Sequence, residues 1–433
     1  MHFHLTGIAG VGMSALAEAL LDVGATVSGS DRLVDSGRET PVVRRLRAQG
    51  IRIVPQNGSG LGRDTAALVV STAIESDNAD IARARELGVP VRHRSDVLAE
   101  TIGARPLIAV AGTCGKSTTT AILGTILEGC GADPAVVNGA GVVAWRSDSR
   151  TGAVRKGRGP CVAEVDESDR SLLRFHPAHA IVTNASADHF PLEETLALFA
   201  RFRAQVGGTV VDGTAPDPAP PAFERVPWGC RFAWEGVEYA VPVPGLHNGM
   251  NAWQAVRMAL ALGYPPDDIA RALAGFRGVD RRLELVGRTP CGAMVVDDYA
   301  HNTEKIRAAW LALRAEAESG RVVGLWRPHG YGPLRHMLGD LAAMFAETLG
   351  PRDRLFLLPV YDAGGTADRS IRTDDLLAAL RECGVAGAEL MADHDEAVAA
   401  MSATAEPGDV LLTLGARDPE LPVTAKRLAS PAG

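Results

Sequence analysis

At 433 residues the chain exceeds what one compact core organises and suits about two to four domains. Its 46% hydrophobic and 22% charged residues are ordinary for a globular protein. A net charge of −8 and a pI near 5.8 argue against nucleic acid or an anionic membrane as partner, because both select a basic face. A nucleotide remains open, since backbone amides and one or two cations suffice to hold it.

Cys114, Cys130, Cys161, Cys230, Cys291 and Cys383 are scattered without a C-x-x-C pair. That spacing points away from a disulfide framework or a zinc site and fits a reducing compartment. The N-terminus MHFHLTGIAG has no positive region leading into a long apolar run, so no signal peptide is predicted. No stretch approaches the roughly 18 apolar residues of a membrane span, and a cytoplasmic location follows as the expectation.

Short apolar runs alternate with amphipathic stretches, the rhythm of an α/β fold. "HFHLTGIAG" predicts a first strand and glycine turn, "GMSALAEALLDVG" the helix after it, and "ATVSGSD" and "AALVVSTAI" further strands. A break falls over residues 101–106, after which "PLIAVAGT" opens a new strand. Two glycine-rich strand-to-helix turns, near Gly7 and near Gly112, imply two nucleotide-binding-type domains. "CVAEVDESD" and "HAIVTNASADH" read as strands ending in acidic and histidine residues, where ligands gather in open parallel sheets. The Pro-rich "DGTAPDPAPPAFERVP" reads as a surface connection and "HNGMNAWQAVRMALALG" as a helix. From Leu283 a third unit carries the strands "AMVVDDY", "VVGLW", "RLFLLPVY" and "DVLLTLG".

The most informative segment runs from Gly112 through Thr113, Cys114, Gly115, Lys116, Ser117 and Thr118. It follows an apolar strand and opens a helix, so successive N–H groups can cradle phosphate oxygens. Lys116 would set a cation on the β/γ-phosphates of ATP, and Ser117 would offer its hydroxyl to Mg2+. Val110 stands where the full G-x-x-x-x-G-K-[ST] pattern has its first glycine, and a plain strand-to-helix turn is the bland alternative. The lysines are only Lys116, Lys156, Lys305 and Lys426 in an arginine-rich chain, so a lysine here is not a compositional accident. Glu164 and His189 end strands where metal ligands would converge. Histidine is an unusual Mg2+ ligand and alone would read as structural, but Asp188 beside it adds an oxygen donor.

Together these stretches resemble the Mur ligase family, and within it the branch that acts on UDP-N-acetylmuramate and adds L-alanine or a recycled tripeptide. The resemblance covers nearly the whole chain. It rests on G-I-A-G-V-G-M-S from Gly7, S-G-S-D from Ser28, S-T-A-I-E-S-D-N from Ser71, G-T-C-G-K-S-T-T from Gly112 and E-V-D-E-S-D from Glu164. It continues with T-N-A-S-A-D-H ending at His189, P-G-L-H-N-G-M-N-A from Pro244, G-V-D-R-R from Gly278, D-D-Y-A-H-N from Asp297 and L-T-L-G-A from Leu412. Any one of these is weak; in this order they are specific.

The fold implied is α/β in three domains: a Rossmann-like N-terminal domain (1–101) for the UDP-sugar, a central P-loop-type ATPase domain (102–282), and a Rossmann-like C-terminal domain (283–433) for the acceptor amine. The activity implied is ATP-dependent, ADP-forming amide-bond formation through an acyl phosphate, in peptidoglycan and cell-wall biosynthesis. By resemblance Lys116 and Ser117 hold phosphate and Mg2+, and Glu164 and His189 hold metal. His247, Asn248 and Asn251 lie near adenine, Arg282 reaches the phosphates, Asp298 meets the ribose, and His301 sits close to the reaction centre. Gly7, Gly10, Gly12 and Ser14, with Asp31 and Ser71, hold the UDP-sugar, and His329, Tyr331 and Arg335 the acceptor. No lysine closely follows His189 to serve as the carbamylated metal ligand of some relatives, which fits the muramate branch.

Alternatives stay open at several of these positions. Asn251 also reads as a helix packing residue, and Arg282 as a surface partner of Glu284. The first loop is G-x-x-G-x-G with Ala9 at the third place, and Asp31 lies roughly twenty residues on, where an NAD ribose partner would sit. Three departures from the branch pattern bear on the substrate. Cys114 replaces a histidine, D-D-Y-A-H-N-T follows other branches, and Gly330 and Pro333 occupy two arginine positions of the acceptor segment while Arg335 is kept. Losing two guanidinium donors predicts an acceptor bulkier than L-alanine, or a peptide. A member diverted to another acid or amine, and a non-catalytic nucleotide-binding homologue, remain as further readings.

Overall fold

The computed structural model describes residues 1–37, 39–187, 189–318, 320–362 and 368–430. Three parallel sheets organise the chain, each built from apolar strands that alternate with helices. The first comprises β1 (His2–Thr6), β2 (Thr26–Ser30), β3 (Arg52–Val54), β4 (Thr65–Val70) and β5 (Val91–His93), in the order β3-β2-β1-β4-β5 and parallel throughout. The order reverses at β1, so the turns after β1 and β4 flank the crevice where ligands bind in open sheets. Buried Asp80 locks this end: its carboxylate accepts from Thr6 Oγ1 (3.0 Å), Ser30 Oγ (2.5 Å) and the Gly58 amide (2.8 Å). Burial raises its carboxyl, but His4, whose Nε2 lies 3.8 Å away, and these bonds together hold it below the usual range.

The second sheet contains β6 (Leu107–Ala111), β7 (Ala135–Val137), β8 (Val154–Arg155), β9 (Cys161–Glu164), β10 (His179–Val182) and β11 (Val210–Asp212), in the order β11-β10-β6-β9-β7-β8. All pairs are parallel except β7 with β8. Every residue of β6, LIAVA, is buried, the continuous apolar run expected of a central parallel strand. A local three-stranded meander follows, β12 (Glu224–Val226), β13 (Gly229–Trp234) and β14 (Val237–Val241). The Pro-rich connection expected over this stretch thus ends in a strand, because Glu224–Val226 finds a hydrogen-bonding neighbour in β13.

The last sheet has β15 (Glu284–Arg288), β16 (Met294–Asp298), β17 (Val322–Trp326), β18 (Arg354–Leu357), β19 (Ala388–Leu390) and β20 (Val410–Leu414), in the order β15-β16-β20-β17-β18-β19. β15 is antiparallel to β16 and the rest run parallel. Trp310, Trp326 and Phe345 are fully buried on one face, in edge-to-face pairs with centroids 6.2 and 6.1 Å apart.

The chain divides into two compact units: residues 1–223, 231–242 and 247–279, and residues 224–230, 243–246 and 280–433. The first two sheets share the first unit. Buried Glu18 on helix Val11–Asp22 accepts from the Thr151 amide (2.9 Å) and hydroxyl (3.1 Å), and Arg150 pairs with Asp22 at 2.6 Å. Among the described residues no helix is long and apolar enough to cross a membrane.

Candidate active site

The central turn leaves β6 at Gly112 (φ 134°) and enters helix Lys116–Gly129 at Gly115 (φ 81°), both backbone conformations that glycine adopts without strain. Space demands glycine as well. A Cβ at Gly112 would lie 2.0 Å from Thr183 Oγ1, and one at Gly115 would lie 2.4 Å from Asn251 Oδ1. The residues after β10 fasten the turn. Asn184 Oδ1 accepts from Thr113 Oγ1 (2.7 Å) and the Cys114 amide (2.9 Å), while Asn184 Nδ2 and Thr183 Oγ1 both donate to the Cys114 carbonyl. No side chain caps the helix, so its first-turn amides stay available to an anion.

Lys116 Nζ donates to the Gly112 carbonyl and to Glu167 Oε2, each at 2.7 Å. Burial works against its charge, but Glu167, with Glu164 and Asp166 behind it, outweighs that and raises the ammonium above its ordinary range. The same burial raises the Glu167 carboxyl above its ordinary range, against the pull of Lys116. Ser117 and Thr118 are buried at the helix start. Glu164 ends β9 and accepts from the Gly139 amide at 2.8 Å, while Glu167 Oε1 is buried without a partner. Lys116, Glu164 and the helix start thus lie together at this end of the sheet. Glu167, which lies within E-V-D-E-S-D but carried no assigned role, is the carboxylate paired with the lysine.

His189 is exposed and makes no hydrogen bond or ion pair among the described residues. Asp188 lies outside the described residues. The oxygen donors near the turn, Ser117 and Glu164, suit Mg2+, which prefers hard oxygen ligands. Among the described residues no three His, Cys, Asp or Glu side chains form a metal cluster. Asn248 and Asn251 are buried on helix Leu246–Ala261, with Asn251 Nδ2 donating to Asn248 Oδ1 at 3.1 Å, and His247 is exposed at its start. The contact of Asn251 with Gly115 brings this helix to the central glycine turn.

In the first sheet the turn after β1 carries Gly7 (φ 75°), and Gly10 caps helix Val11–Asp22 without a side-chain bond. Asp31 is buried behind this turn. Its Oδ2 accepts from the Ala9 amide (2.9 Å) and its Oδ1 from the Leu33 amide (3.0 Å), so it braces the turn. That engagement weakens the dinucleotide alternative, which relied on Asp31 reaching a ribose. Ser14 is buried and donates to the Val11 carbonyl at 3.0 Å. Ser71, partly buried, follows β4 across the crevice. Arg94 had no sequence signal. Its Nη1 lies 2.3 Å from where a Gly12 Cβ would be, and its Nη2 pairs with Asp166 at 3.0 Å. The charge thus sits against the first glycine turn.

In the second unit Asp298 is buried, and burial pushes its carboxyl up against the opposing pull of Arg282. It accepts from the Leu283 and Ala300 amides, both at 2.7 Å. Arg282 stacks on Tyr299 at 5.4 Å, and its neighbour Arg281 pairs with Asp297 at 2.9 Å. The His301 and His329 rings meet edge to face at 4.9 Å. Burial, reinforced by His301, Arg417 and Lys305, pushes the His329 imidazole down to about 4. Tyr331 opens helix Tyr331–Thr348, and Arg335 pairs with Asp368 at 3.0 Å and donates to Ser370 Oγ at 2.9 Å.

Family models described as "Mur ligase family, catalytic domain" and "Mur ligase, glutamate ligase domain" match residues 2–105 and 281–417. The UDP-N-acetylmuramate–L-alanine ligase of Solibacter usitatus is 34% identical over 96% of this chain and 92% of its own. The enzyme of the same name from Paenarthrobacter aurescens is 35% identical over 96% and 94%. A crystal structure of UDP-N-acetylmuramate-alanine ligase from Thermotoga maritima superposes with a TM-score of 0.83 at 26% identity, covering 99% of this chain and 98% of that one. A murein peptide ligase from Psychrobacter arcticus shares the fold, with a TM-score of 0.66 at 19% identity and coverage of 99% and 98%. The chain belongs to the Mur ligase family and has its α/β fold of parallel sheets.

Proposed function

We propose that this chain joins the carboxylate of UDP-N-acetylmuramate to the amine of an amino acid, consuming ATP and releasing ADP and phosphate, in the cytoplasm during peptidoglycan synthesis. The observation that carries the reading is the turn at Gly112–Gly115, with Lys116 held charged between its own loop and Glu167. The full-length similarity to ligases of that name supports the substrate class.

In this mechanism Lys116 and the first-turn amides offset the charge of the γ-phosphate while the muramate carboxylate attacks phosphorus. An acyl phosphate forms and ADP leaves. The amine then attacks the acyl carbonyl, and phosphate departs as the amide forms. Mg2+, held by Ser117, Glu164 and His189, would supply positive charge to the phosphate oxygens. We assign the UDP-sugar to 1–101 with Gly7, Gly10, Gly12 and Ser71, ATP to 102–282 with Asn248 and Asn251, and the acceptor to 283–433 with His301, His329 and Tyr331. Asp31 acts there through the backbone it braces, and Arg94 adds a cation beside Gly12.

The test mixes the purified chain with ATP, Mg2+, UDP-N-acetylmuramate and a panel of amino acids, and follows ADP, phosphate and product mass. Stoichiometric ADP, phosphate and amide support the reading. A chain that binds ATP yet releases no ADP with any acid and amine is a non-catalytic homologue, and the reading fails.

A further inference from the structure

The resemblance that places an acceptor carboxylate in the C-terminal sheet expects arginines at two positions held here by Gly330 and Pro333. The arginines nearby are already engaged. Arg335 is paired with Asp368 (3.0 Å), Arg369 with Asp362 (2.7 Å), and Arg327 with Asp418 (2.7 Å). The Arg327 pairing is firm, because Arg327 and His394 together pull the buried Asp418 carboxyl down to about 2 despite its desolvation.

Arg417 differs from all three. It follows the matched stretch L-T-L-G-A, which ends at Ala416, and is exposed with no hydrogen bond or ion pair among the described residues. Its φ of 65° lies in the left-handed region, where a side chain other than Gly or Asn is uncommon. β20 lies between β16 and β17, so the turn carrying Arg417 lies between the turns carrying His301 and His329. Arg417 Nη1 stands 3.9 Å from where a Cβ on Gly330 would be. Gly330, with φ 159° and no side-chain cap, begins helix Tyr331–Thr348 and leaves the Tyr331 and Gly332 amides at its first turn. His329 lies under the same turn with a buried Nδ1 that has no partner.

We propose that Arg417 is a specificity-determining residue that binds the α-carboxylate of the incoming amino acid in place of the arginines absent at Gly330 and Pro333. The proposal rests on the assignment of this unit to the acceptor. The glycine is part of the device: a side chain at 330 would stand between the guanidinium and the helix amides. A planar fork beside a helix N-terminus suits a compact carboxylate, so a small free amino acid fits, and neither a bulky amine nor a peptide is required.

The experiment compares wild type with Arg417→Gly, which also relieves the left-handed backbone, and with Arg417→Gln, which removes only the charge. The acceptors are L-alanine and L-alaninamide, and any faster amino acid of the panel with its own amide. In wild type the free acid is expected to exceed its amide in kcat/KM. Both variants are expected to raise KM for the acid on the order of tenfold or more, to bring acid and amide together, and to leave KM for ATP and UDP-N-acetylmuramate unchanged. Thermal melts identify a variant that does not fold, and the other then decides. Variants that keep the wild-type preference for acid over amide overturn the role of Arg417 while leaving the ligase reading intact. A wild type that forms ADP with no amino acid overturns the acceptor assignment, and this proposal with it.

Discussion

The two glycine turns of the first unit use one backbone device and obtain their cation differently. After β1, Gly7 turns the chain, the helix start is uncapped, and the charge comes from Arg94, far along the sequence and tied to Asp166. After β6, Gly112 and Gly115 do the same work, but the charge is Lys116, next to the glycine and tied to Glu167. A turn that carries its own cation declares its ligand in the sequence. A turn that borrows one shows no cation in its own segment, and the fold brings Arg94 to it from far along the chain.

The largest test of that contrast removes the local cation. Lys116→Ala is expected to lower kcat for ADP release about a hundredfold to a thousandfold or more, with the affinity for UDP-N-acetylmuramate unchanged. A coupled ADP assay and a calorimetric titration read the two halves. Normal turnover would remove the ATP assignment of the central turn.

Arg94→Ala is the mirror experiment. It should weaken UDP-N-acetylmuramate on the order of tenfold and leave ATP affinity close to wild type, since the guanidinium lies against Gly12. If calorimetry finds ATP weakened and the sugar nucleotide unaffected, the division between the turns is misdrawn.

Asn184→Ala attacks the second turn without touching its charge. It removes the bonds to Thr113, the Cys114 amide and the Cys114 carbonyl, and should cost about 1–3 kcal/mol in urea unfolding. KM for ATP should rise with it, because the amides that face phosphate are no longer held. A variant as stable as wild type and with an unaltered KM would show that the turn stands without this brace.

A further test lies outside both turns. His329 is held neutral down to about pH 4 in the folded chain but takes a proton near its ordinary 6.5 when unfolded. Between those values the unfolded chain binds more protons, so stability falls as pH is lowered from 6.5 towards 4. His329→Gln should flatten that slope, measured as denaturation midpoints across the window. An identical slope in the variant would assign the acid sensitivity to other groups.

Much of the fold was legible in the chain because its central strands are continuous apolar runs. LIAVA, VVGLW and VLLTL are buried along their whole length, and their shortness, β-branched content and flanking turn residues mark them. The short strands β3, β7, β8 and β12 carry too few residues for a pattern, and only their neighbours in the sheet define them. The second and third large sheets begin at Leu107 and Glu284, beside the breaks read at residues 101–106 and at Leu283. The grouping of the first two sheets into one unit was not legible, since it depends on Glu18 meeting Thr151 and Arg94 meeting Asp166 across long separations.

By itself the sequence determined the chemistry that is local. Glycines at positive φ, a lysine beside them and an uncapped helix start lie within a few residues of one another, so their spacing is their geometry. Tertiary structure decided what each charged group faces. It set the Asp31 carboxylate against the Ala9 amide, gave Lys116 its counter-charge in Glu167, and set Arg417 over Gly330. The physical reason is common to all three: a side chain's partner is whatever the sheet order brings to the same strand end, and distance along the chain carries no record of that order.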